Sequence, residues 1–314
     1  MASKGAEHFI SVMGMNGLAG VSGVLYALCT IGGILKDNSL VEEAAGLAKK
    51  FSTKMLEGKN SIELMSGMSG TVLALAKIST MIEDKEISKI IEKLGEGIWS
   101  REFMEKIEEK EGTGSNNLSG LSHGLAGAVL AASCVSRISS DGFSGYAADK
   151  IMQLESARFS EDQMNWPDRR KGQQVAFHDM PCQWCHGAVG IGMSRLVSLK
   201  AWPESKTSRR DIDRAVGAVM SRKLRPVDHV CCGNFGQIEF LHDAAEALNR
   251  DDIRAEALAR TVTVISRARE TGSYAWPVGG NEYNVGFFNG ISGIGYTLIK
   301  INSRNYLPSI STMQ

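Results

Sequence analysis

Two tight pairs of cysteines are the residues in this sequence most suited to chemistry. Cys182 and Cys185 form one pair, and Cys231 and Cys232 form the other, in a chain of 314 residues with six cysteines. The N-terminal residues show no continuous apolar segment of the kind that directs secretion, so we expect a reducing, cytoplasmic environment. Clustered cysteines in such an environment indicate metal or redox chemistry more than a disulfide framework.

A short glycine motif recurs six times and gives the cysteines a common register. Each copy is five residues long, with glycine at its second and fifth positions, and an apolar segment follows the second glycine. The copies lie at residues 16–20, 66–70, 123–127, 186–190, 232–236 and 289–293. The intervals between them leave room for two helices in each repeat.

The segments that follow and separate the motifs predict paired helices. The apolar segments after the glycines carry few charges, so we expect inner helices that are buried nearly all round. Between them, apolar residues recur at helical spacing on segments with charged faces, which predicts amphipathic outer helices. These outer segments are residues 42–56, 87–109, 211–223 and 251–269. With no strand-like alternation, the sequence predicts an all-α fold in a single domain over residues 1–314.

The motif register selects three of the four clustered cysteines as a zinc site. Cys185 and Cys231 each lie two residues before the first glycine of their motif, and Cys232 lies one residue before it. Helix N-termini that converge at the motifs would favour thiolates, because their unpaired N–H groups and positive dipole ends meet there. Three thiolates from two neighbouring loops leave one tetrahedral position of zinc open, as catalytic zinc sites do.

Other interpretations of the cysteines stay open. The three could be buried, inert side chains, since free cysteine packs as a small hydrophobic residue. Cys182 could join them in a closed, structural site with four cysteine ligands. The spacing of Cys182 and Cys185 also fits a redox pair, although the βαβ context of a thioredoxin-like protein is missing. Cys29 and Cys134 lie in apolar helical segments and are predicted core residues.

Two histidines stand in the same register. His123 precedes the first glycine of the third motif, where a neutral imidazole near the metal would act as general acid or base. The alternative is a helix-capping or core histidine. His186 adjoins Cys185 and is either a second acid/base group, a neighbour of the metal site or a spectator. His178 is a candidate for the mouth of the site, whereas the other histidines, His8, His229 and His242, have no comparable placement.

Charge and hydropathy exclude two classes of partner. Lys and Arg together number 35, as do Asp and Glu, so the formal net charge is zero. No excess of basic residues is available to bind nucleic acid phosphates or an anionic membrane surface. No stretch of eighteen apolar residues is present, so we expect no membrane span.

The motifs resemble those of the lanthionine synthetase C-like family, and they look closest to the C-terminal cyclase domain of class II lanthionine synthetases. The resemblance spans most of the chain and rests on residues 119–127, 184–188, 231–234, 287–296 and 307–309. It implies an α/α toroid with one central catalytic zinc ion. Carried over, the family's zinc ligands fall on Cys185, Cys231 and Cys232. The active-site histidine falls on His123, and His186 is a second acid/base candidate.

The resemblance implies a zinc-dependent peptide cyclase that forms lanthionine and methyllanthionine rings. A cysteine thiol of a dehydrated, lantibiotic-type precursor peptide would add to dehydroalanine or dehydrobutyrine. The open zinc position would accept that thiol and lower its pKa from about 8.5. His123 or His186 would then protonate the resulting enolate. The resemblance also implies a dehydratase domain or protein as a partner.

Two departures from the family pattern bear on activity. The family has seven helical repeats and six are recognisable here, with the first copy lacking, so we expect a fragment or a shortened stand-alone cyclase. The family usually carries an aspartate four residues before the first glycine of one repeat, near the active-site histidine. Glu63 occupies that place here and is a catalytic candidate whose role is altered or lost.

Rival functions follow from these departures. One is a catalytically impaired zinc-binding scaffold or peptide-binding relative, which would bind zinc without turnover. Glutathione addition, known for eukaryotic relatives, is another. A glycosidase or terpene cyclase-like toroid enzyme would need paired carboxylates or acidic metal motifs facing the cavity. Glu63 is the lone acid at the motif loops, which argues against that class.

Overall fold

The computed structural model of this chain is helical throughout the part that it describes. The described residues are 14–57, 61–100, 105, 118–138, 143–167, 181–277, 284–303 and 307–313. Within these ranges there is no strand, only an isolated antiparallel bridge between Ser160 and Asn165. The predicted all-α secondary structure is therefore confirmed. No helix of the described part combines the length and apolar character that crossing a bilayer requires.

Helices that follow the glycine motifs alternate along the chain with helices that do not. Helices α1 to α12 span, in order, Val21–Leu35, Asn38–Lys50, Ser52–Glu57, Met68–Ser79, Lys85–Ile98, Leu125–Val135, Phe143–Ser156, Ala188–Ala201, Lys206–Met220, Asn234–Leu248, Asp251–Thr271 and Ile291–Asn302. The motif-headed helices are α1, α4, α6, α8, α10 and α12. The predicted outer segment 42–56 is two helices, α2 and α3, interrupted at Phe51. Of the predicted segment 87–109, α5 accounts for the residues up to Ile98, and most of the remainder lies outside the described residues.

The chain divides into two compact units, and each has its own helix packing. The first unit is residues 1–118, 122–155 and 200–203, and the second is residues 119–121, 156–199 and 204–314. In the first unit α4 packs against α1, α5 and α6, and α2 packs against α1. In the second unit α10 packs against α9, α11 and α12. The single domain that the sequence predicts over residues 1–314 stays a prediction.

Burial of the motif-headed helices follows the prediction in the middle of the chain and departs from it at both ends. All residues of α6 are buried, as are the residues of α8 from Ala188 to Ser198. In α1, however, Leu35 is 66% exposed, and in α12 Ile299 is 58% exposed. The prediction of burial all round is thus wrong for α1 and α12. Each packs closely against one other motif-headed helix, α4 and α10 respectively, which leaves its opposite side accessible.

The second glycine of the motif lies where the backbone crosses over the first turn of the helix. A Cβ atom on Gly190 would lie 2.0 Å from the carbonyl oxygen of Trp184, and one on Gly236 would lie 2.2 Å from that of Val230. The same approach to the carbonyl six residues earlier recurs at Gly70 and Gly293. Only glycine leaves room for such a crossing, which gives the motif its physical reason.

We expect Gly236→Ala to lower the free energy of unfolding by more than about 2 kcal/mol, because its new methyl group would overlap a backbone carbonyl. Gly46→Ala is the matched control, since Gly46 lies inside α2 with nothing within 4 Å of a Cβ atom. It should stabilise the protein by about 0.5–1 kcal/mol. Urea unfolding of the wild type and both variants measures the two effects. Equal stability of Gly236→Ala and the wild type would contradict the tight crossing.

Candidate functional site

Three cysteine sulfur atoms form a compact group in the second unit. Cys232 Sγ lies 3.5 Å from Cys185 Sγ and 3.5 Å from Cys231 Sγ. All three sulfur atoms lie within 4.8 Å of one another. Sulfur ligands at about 2.3 Å from zinc in a tetrahedron are about 3.8 Å apart. The group therefore has the donor chemistry and the spacing of three zinc ligands.

Backbone hydrogen bonds between successive motif loops bring these cysteines together. The N–H of Trp184 donates to the carbonyl of Cys231 at 3.1 Å, and the N–H of Cys231 donates to the carbonyl of Phe288 at 2.8 Å. These bonds join residues that lie two or three positions before the first glycine of each motif. The main chain therefore holds Cys185 beside the Cys231–Cys232 pair. Cysteines at matching positions of two motifs thus lie close together in the structure.

A glycine and a buried asparagine hold the two ends of the Cys185 loop close together. Gly187 has a φ of +83°, and a Cβ atom there would lie 1.8 Å from the carbonyl oxygen of Pro181. Asn165, which is fully buried, donates from Nδ2 to the same carbonyl at 3.0 Å. Its Oδ1 accepts from the N–H of Ala188 at 2.9 Å. The asparagine therefore ties the start of the loop to the start of α8.

Trp184 anchors the same loop on its other side. Its indole packs on the ring of Phe288, with the ring centroids 4.2 Å apart. Its Nε1 donates to the carbonyl of Ser311 at 2.8 Å, so the segment at residues 307–313 helps to fix the neighbour of Cys185. With its side chain 2% exposed, Trp184 leaves the loop little freedom to move.

The loop before α10, which carries Cys231 and Cys232, is organised by Asp228 and Asn234. Asn234 donates from Nδ2 to Asp228 Oδ1 at 2.8 Å and accepts at Oδ1 from the N–H of Arg225 at 2.7 Å. Asp228 is fully buried and also accepts from Arg267 Nη2 at 2.5 Å and from the N–H of Ala275 at 2.7 Å. Because its carboxylate is paired and hydrogen-bonded at both oxygens, this buried network holds both ends of the loop in place.

His229 belongs to this loop and was missed by sequence reasoning. It is 4% exposed, and its Nδ1 accepts a hydrogen bond from the backbone N–H of Cys232 at 3.3 Å. Burial lowers the pKa of His229, against the opposing effects of the Cys232 charge and a hydrogen bond to the Phe288 backbone. A neutral ring that accepts at Nδ1 therefore orients the main chain of a candidate ligand. The only sequence signal was its position three residues before Cys232.

Hydrogen bonds among the thiols favour one negative charge, placed on Cys232. The hydrogen bonds with Cys185 and Cys231 lower the pKa of Cys232 to about 3, although burial opposes them. The pKa of Cys231 is raised by its hydrogen bonds with the other two cysteines and by burial. For Cys185 the bond with Cys231 lowers the pKa, but the bond with Cys232 and burial raise it to about 12. A divalent cation that bound here would displace the protons of the thiols that it ligates.

The remaining cysteines lie away from this group. Cys182 is fully buried, and burial raises the pKa of its thiol to about 11. Among the described residues it is not part of the group that could hold a metal. Cys29 and Cys134 are buried in α1 and α6, in agreement with their assignment to the core.

The other histidines of the prediction divide between described and undescribed parts of the chain. His186 follows Cys185 directly and is 5% exposed, and its carbonyl accepts from the N–H of Gln183 at 2.9 Å. His242 lies on α10 with its Nδ1 3.6 Å from a carboxylate oxygen of Asp243. His8 and His178 lie outside the described residues.

In the first unit His123 is paired with Glu63. His123 Nδ1 donates to Glu63 Oε2, and Ser66 Oγ donates to Glu63 Oε1. The two loops are joined by the N–H of Leu64, which donates to the carbonyl of Ser122 at 3.1 Å. A neutral imidazole that donates at Nδ1 has Nε2 as its basic atom. The glutamate therefore reaches the histidine and fixes its tautomer.

Glu63 stays ionised in this pair. Burial raises the pKa of its carboxyl group. The hydrogen bonds from His123 and Ser66 and the charge of His123 together lower the pKa by more than burial raises it, so the net shift is downward. The side chain of Glu63 is 14% exposed and that of His123 is 43% exposed. A fixed carboxylate thus orients an imidazole that solvent or a substrate can reach.

We expect the wild-type protein to bind one zinc ion per chain. Alanine at Cys185, Cys231 or Cys232 should lower the zinc affinity strongly, because each substitution removes one of three thiolate donors. Cys182→Ala is the matched control and should keep full metal content. Zinc analysis after gel filtration, with a chromophoric chelator as competitor, measures stoichiometry and affinity. Full metal content in all three site variants would exclude this site.

We expect the stability difference between the wild type and Glu63→Gln to depend on pH. Because the pKa of Glu63 is lowered on folding from its ordinary value of 4.5, its stabilising effect is fully present above about pH 4.5. It is lost as the pH falls through the folded-state value. Urea unfolding at about pH 7 and at successively lower pH measures the gap, with Glu43→Gln on α2 as the control for losing one exposed charge. A gap that widens towards acid would contradict the assignment.

Comparisons with known proteins agree with this architecture. A family model described as "Lanthionine synthetase C-like protein" matches residues 4–312. A solved structure of nisin cyclase superposes with a TM-score of 0.69 at 19% sequence identity, over 97% of this chain and 81% of that one. The structural match confirms the predicted α/α-toroid fold class. No curated protein matches the chain.

Proposed function

Because the chain belongs to the lanthionine synthetase C-like family, we propose that it is a zinc-dependent peptide cyclase that closes thioether rings in a dehydrated precursor peptide. The observation that carries this proposal is the group of three cysteine sulfur atoms, which two adjacent motif loops hold at 3.5 Å spacings. An inert core would have no need to collect three thiols at one point, since thiol packing requires no such clustering.

The residues of the group fit a catalytic zinc ion. Cys185, Cys231 and Cys232 supply three donors, and Cys182 does not join them, so a fourth position is left for a substrate thiol. When bound, zinc would lower the pKa of that thiol and hold it as the nucleophilic thiolate. Asn165, Asp228 and His229 keep the two ligand loops in position, as the neighbours of metal ligands commonly do.

The proton transfers fall to His123. In the proposed reaction the substrate thiol gives its proton to His123 Nε2, sulfur bonds to the β-carbon of dehydroalanine, and the double-bond electrons move to the α-carbon as an enolate. The α-carbon then gains one proton, so the peptide keeps its composition. His123 Nε2 serves as the acid, because Nδ1 is engaged by the Glu63 carboxylate and a hydrogen-bonded carboxylate steadies the imidazolium. His186 remains the second candidate for this role.

The contact between Glu63 and His123 argues against one of the alternative functions, the catalytically impaired scaffold. A catalytically impaired scaffold was suggested by glutamate in place of the family's aspartate. The longer side chain nevertheless reaches the histidine and keeps a lowered pKa, which supports a working pair. Addition of glutathione would use the same thiol chemistry with a different thiol, so the two activities are separated by their products.

We expect wild-type protein to consume alkylatable thiols in dehydrated peptides that carry one dehydroalanine and one cysteine at several spacings. The peptide mass should stay constant, because ring closure is an addition. His123→Asn should slow closure by about 10²–10⁴-fold with zinc retained, and Cys231→Ala should abolish closure and zinc binding together. His242→Asn is the matched histidine control and should leave the rate unchanged. Mass spectrometry after iodoacetamide treatment follows the reaction.

Two other results of this experiment would identify the rival functions. Stoichiometric zinc with every peptide thiol still alkylated at all spacings would indicate a zinc-binding scaffold. A mass increase of one glutathione per dehydroalanine, when glutathione is supplied, would indicate a glutathione-adding enzyme.

A further inference from the structure

A buried lysine on α12 lies in a group of charged side chains that contains none of the cysteines. Lys300 is 3% exposed, and its Nζ donates to Glu239 Oε1 at 2.9 Å and to both carboxylate oxygens of Asp243 at 2.8 Å. Burial lowers the pKa of Lys300, but the charges and hydrogen bonds of the two carboxylates raise it by more. The lysine is therefore a buried cation that joins α12 to α10, the helix that begins two residues after Cys232.

This group of charges contributes position more than stability. Taking an ammonium group and two carboxylates out of water costs about as much free energy as their mutual attraction returns. The carboxylate of Glu239 is nevertheless fixed, because the residue is 1% exposed and Lys300 holds its Oε1. A carboxylate oxygen at a set place is thus available to a second donor.

The second donor comes from the segment at residues 307–313. Ser309 Oγ donates to Glu239 Oε1 at 3.2 Å. Tyr296 of α12 holds the start of the segment, since its hydroxyl donates to the carbonyl of Pro308 at 2.7 Å. The 307–313 segment is therefore attached to both α10 and α12.

The same segment reaches the residue next to Cys185. Ser311 is fully buried, and its Oγ lies 3.1 Å from Ser309 Oγ. The carbonyl of Ser311 accepts from Trp184 Nε1 at 2.8 Å. Because Trp184 directly precedes Cys185, a shift of the indole would move the main chain of the cysteine. A continuous series of contacts thus runs from Lys300 to the neighbour of Cys185.

Cys182, in the same loop, is held from a different side. Its carbonyl accepts from Gln237 Nε2 at 2.9 Å, and Gln237 lies on α10 and not in the 307–313 segment. Its side chain is fully buried. Two cysteines of one loop therefore have different anchors, and the behaviour of one can be compared with that of the other in a single protein.

We propose that Ser309, held by the buried pair of Lys300 and Glu239, is a positioning residue for the candidate zinc site. Ser309 fixes the 307–313 segment, the segment fixes the indole of Trp184, and the indole fixes Cys185. This role rests on the proposed cyclase function, in which it keeps three sulfur donors at the spacing that zinc requires. Groups that orient metal ligands in this way raise metal affinity without touching the ion.

The first test follows alkylation of Cys185 by iodoacetamide in the reduced full chain, with and without a zinc chelator. Trp184→Phe removes the indole N–H and keeps an aromatic ring beside Phe288, so Cys185 should react about fivefold faster or more. Ser309→Ala should accelerate the reaction by about threefold or more, and Ser309→Thr, which keeps the hydroxyl, should restore nearly the wild-type rate. Mass spectrometry of the digested protein measures each cysteine separately.

Two controls separate positioning from a general loss of structure. Cys182 should keep its wild-type rate in every variant, because its anchor on α10 is untouched. Ser221→Ala removes a hydroxyl that donates to the Ala218 carbonyl at 3.1 Å elsewhere in the second unit, and it should leave the rate at Cys185 unchanged. Equal acceleration at Cys182 and Cys185 would indicate general loosening and would overturn the positioning role.

The double variant Trp184→Phe/Ser309→Ala tests whether the two residues act through one series of contacts. In that case Cys185 should react no faster than in the faster single variant, because the second substitution breaks a connection that is already lost. Increases that multiply would show two independent effects and would overturn the proposal.

Zinc affinity, measured by competition with a chromophoric chelator, gives the second readout. It should fall by about threefold or more in Trp184→Phe and in Ser309→Ala, and it should return in Ser309→Thr. Wild-type zinc affinity in both of the first two variants would overturn the positioning role. A wild-type protein that binds no zinc would instead contradict the proposed function, and the alkylation rates with chelator present would still decide whether Ser309 positions Cys185.

Discussion

The backbone crossing at the glycine motifs is the constraint on which the rest of the structure depends. At Gly190 and Gly236 a carbonyl group lies where a side chain would otherwise begin. Within each unit, successive motif loops hydrogen-bond to one another through their main chains, as Trp184 does with Cys231 in the second and Leu64 with Ser122 in the first. Within each unit the helices that follow are therefore packed in a fixed register, and residues just before the first glycine of successive motifs lie at equivalent places.

The candidate chemical groups lie at those places. In the second unit they hold three thiols, and in the first unit His123 stands at one of them, with Glu63 beside it. Side-chain anchors then remove the freedom that remains, since Asn165 closes one cysteine loop and Asp228 organises the other. Main-chain hydrogen bonds thus determine which residues lie next to one another, and buried polar side chains fix their exact positions.

Much of this arrangement could be predicted from the sequence, because it follows from repetition. The six motifs gave the helix alternation, and their register gave the grouping of Cys185, Cys231 and Cys232. Exposure of α1 and α12 could not be predicted from their composition, because a helix is buried by its neighbours and not by its own residues. His229 and Asn165 were missed for a related reason. Their roles arise from hydrogen bonds to the backbone of distant loops, which leave no periodic signal.

The contact that Glu63 makes with His123 also could not be predicted from the sequence. Its identity alone suggested a weakened site, because glutamate is one methylene longer than the aspartate expected there. The outcome depends on where the loop around Leu64 is held, and that loop is fixed by its bond to the carbonyl of Ser122. With the backbone set in this way, Glu63 Oε2 meets His123 Nδ1 while Ser66 holds the other oxygen.

Charge is the last constraint on the thiol group. Hydrogen bonds from the neighbouring thiols lower the pKa of Cys232, whereas its bond with Cys232 and burial raise the pKa of Cys185, so a second thiolate beside the first is disfavoured. Loops fixed by Asp228 and Trp184 nevertheless keep the three sulfur atoms close. The fold thus holds together groups whose ionised forms repel one another. In the proposed zinc site a divalent cation would replace the thiol protons and relieve that repulsion, so binding would add to the stability that the loop anchors already provide.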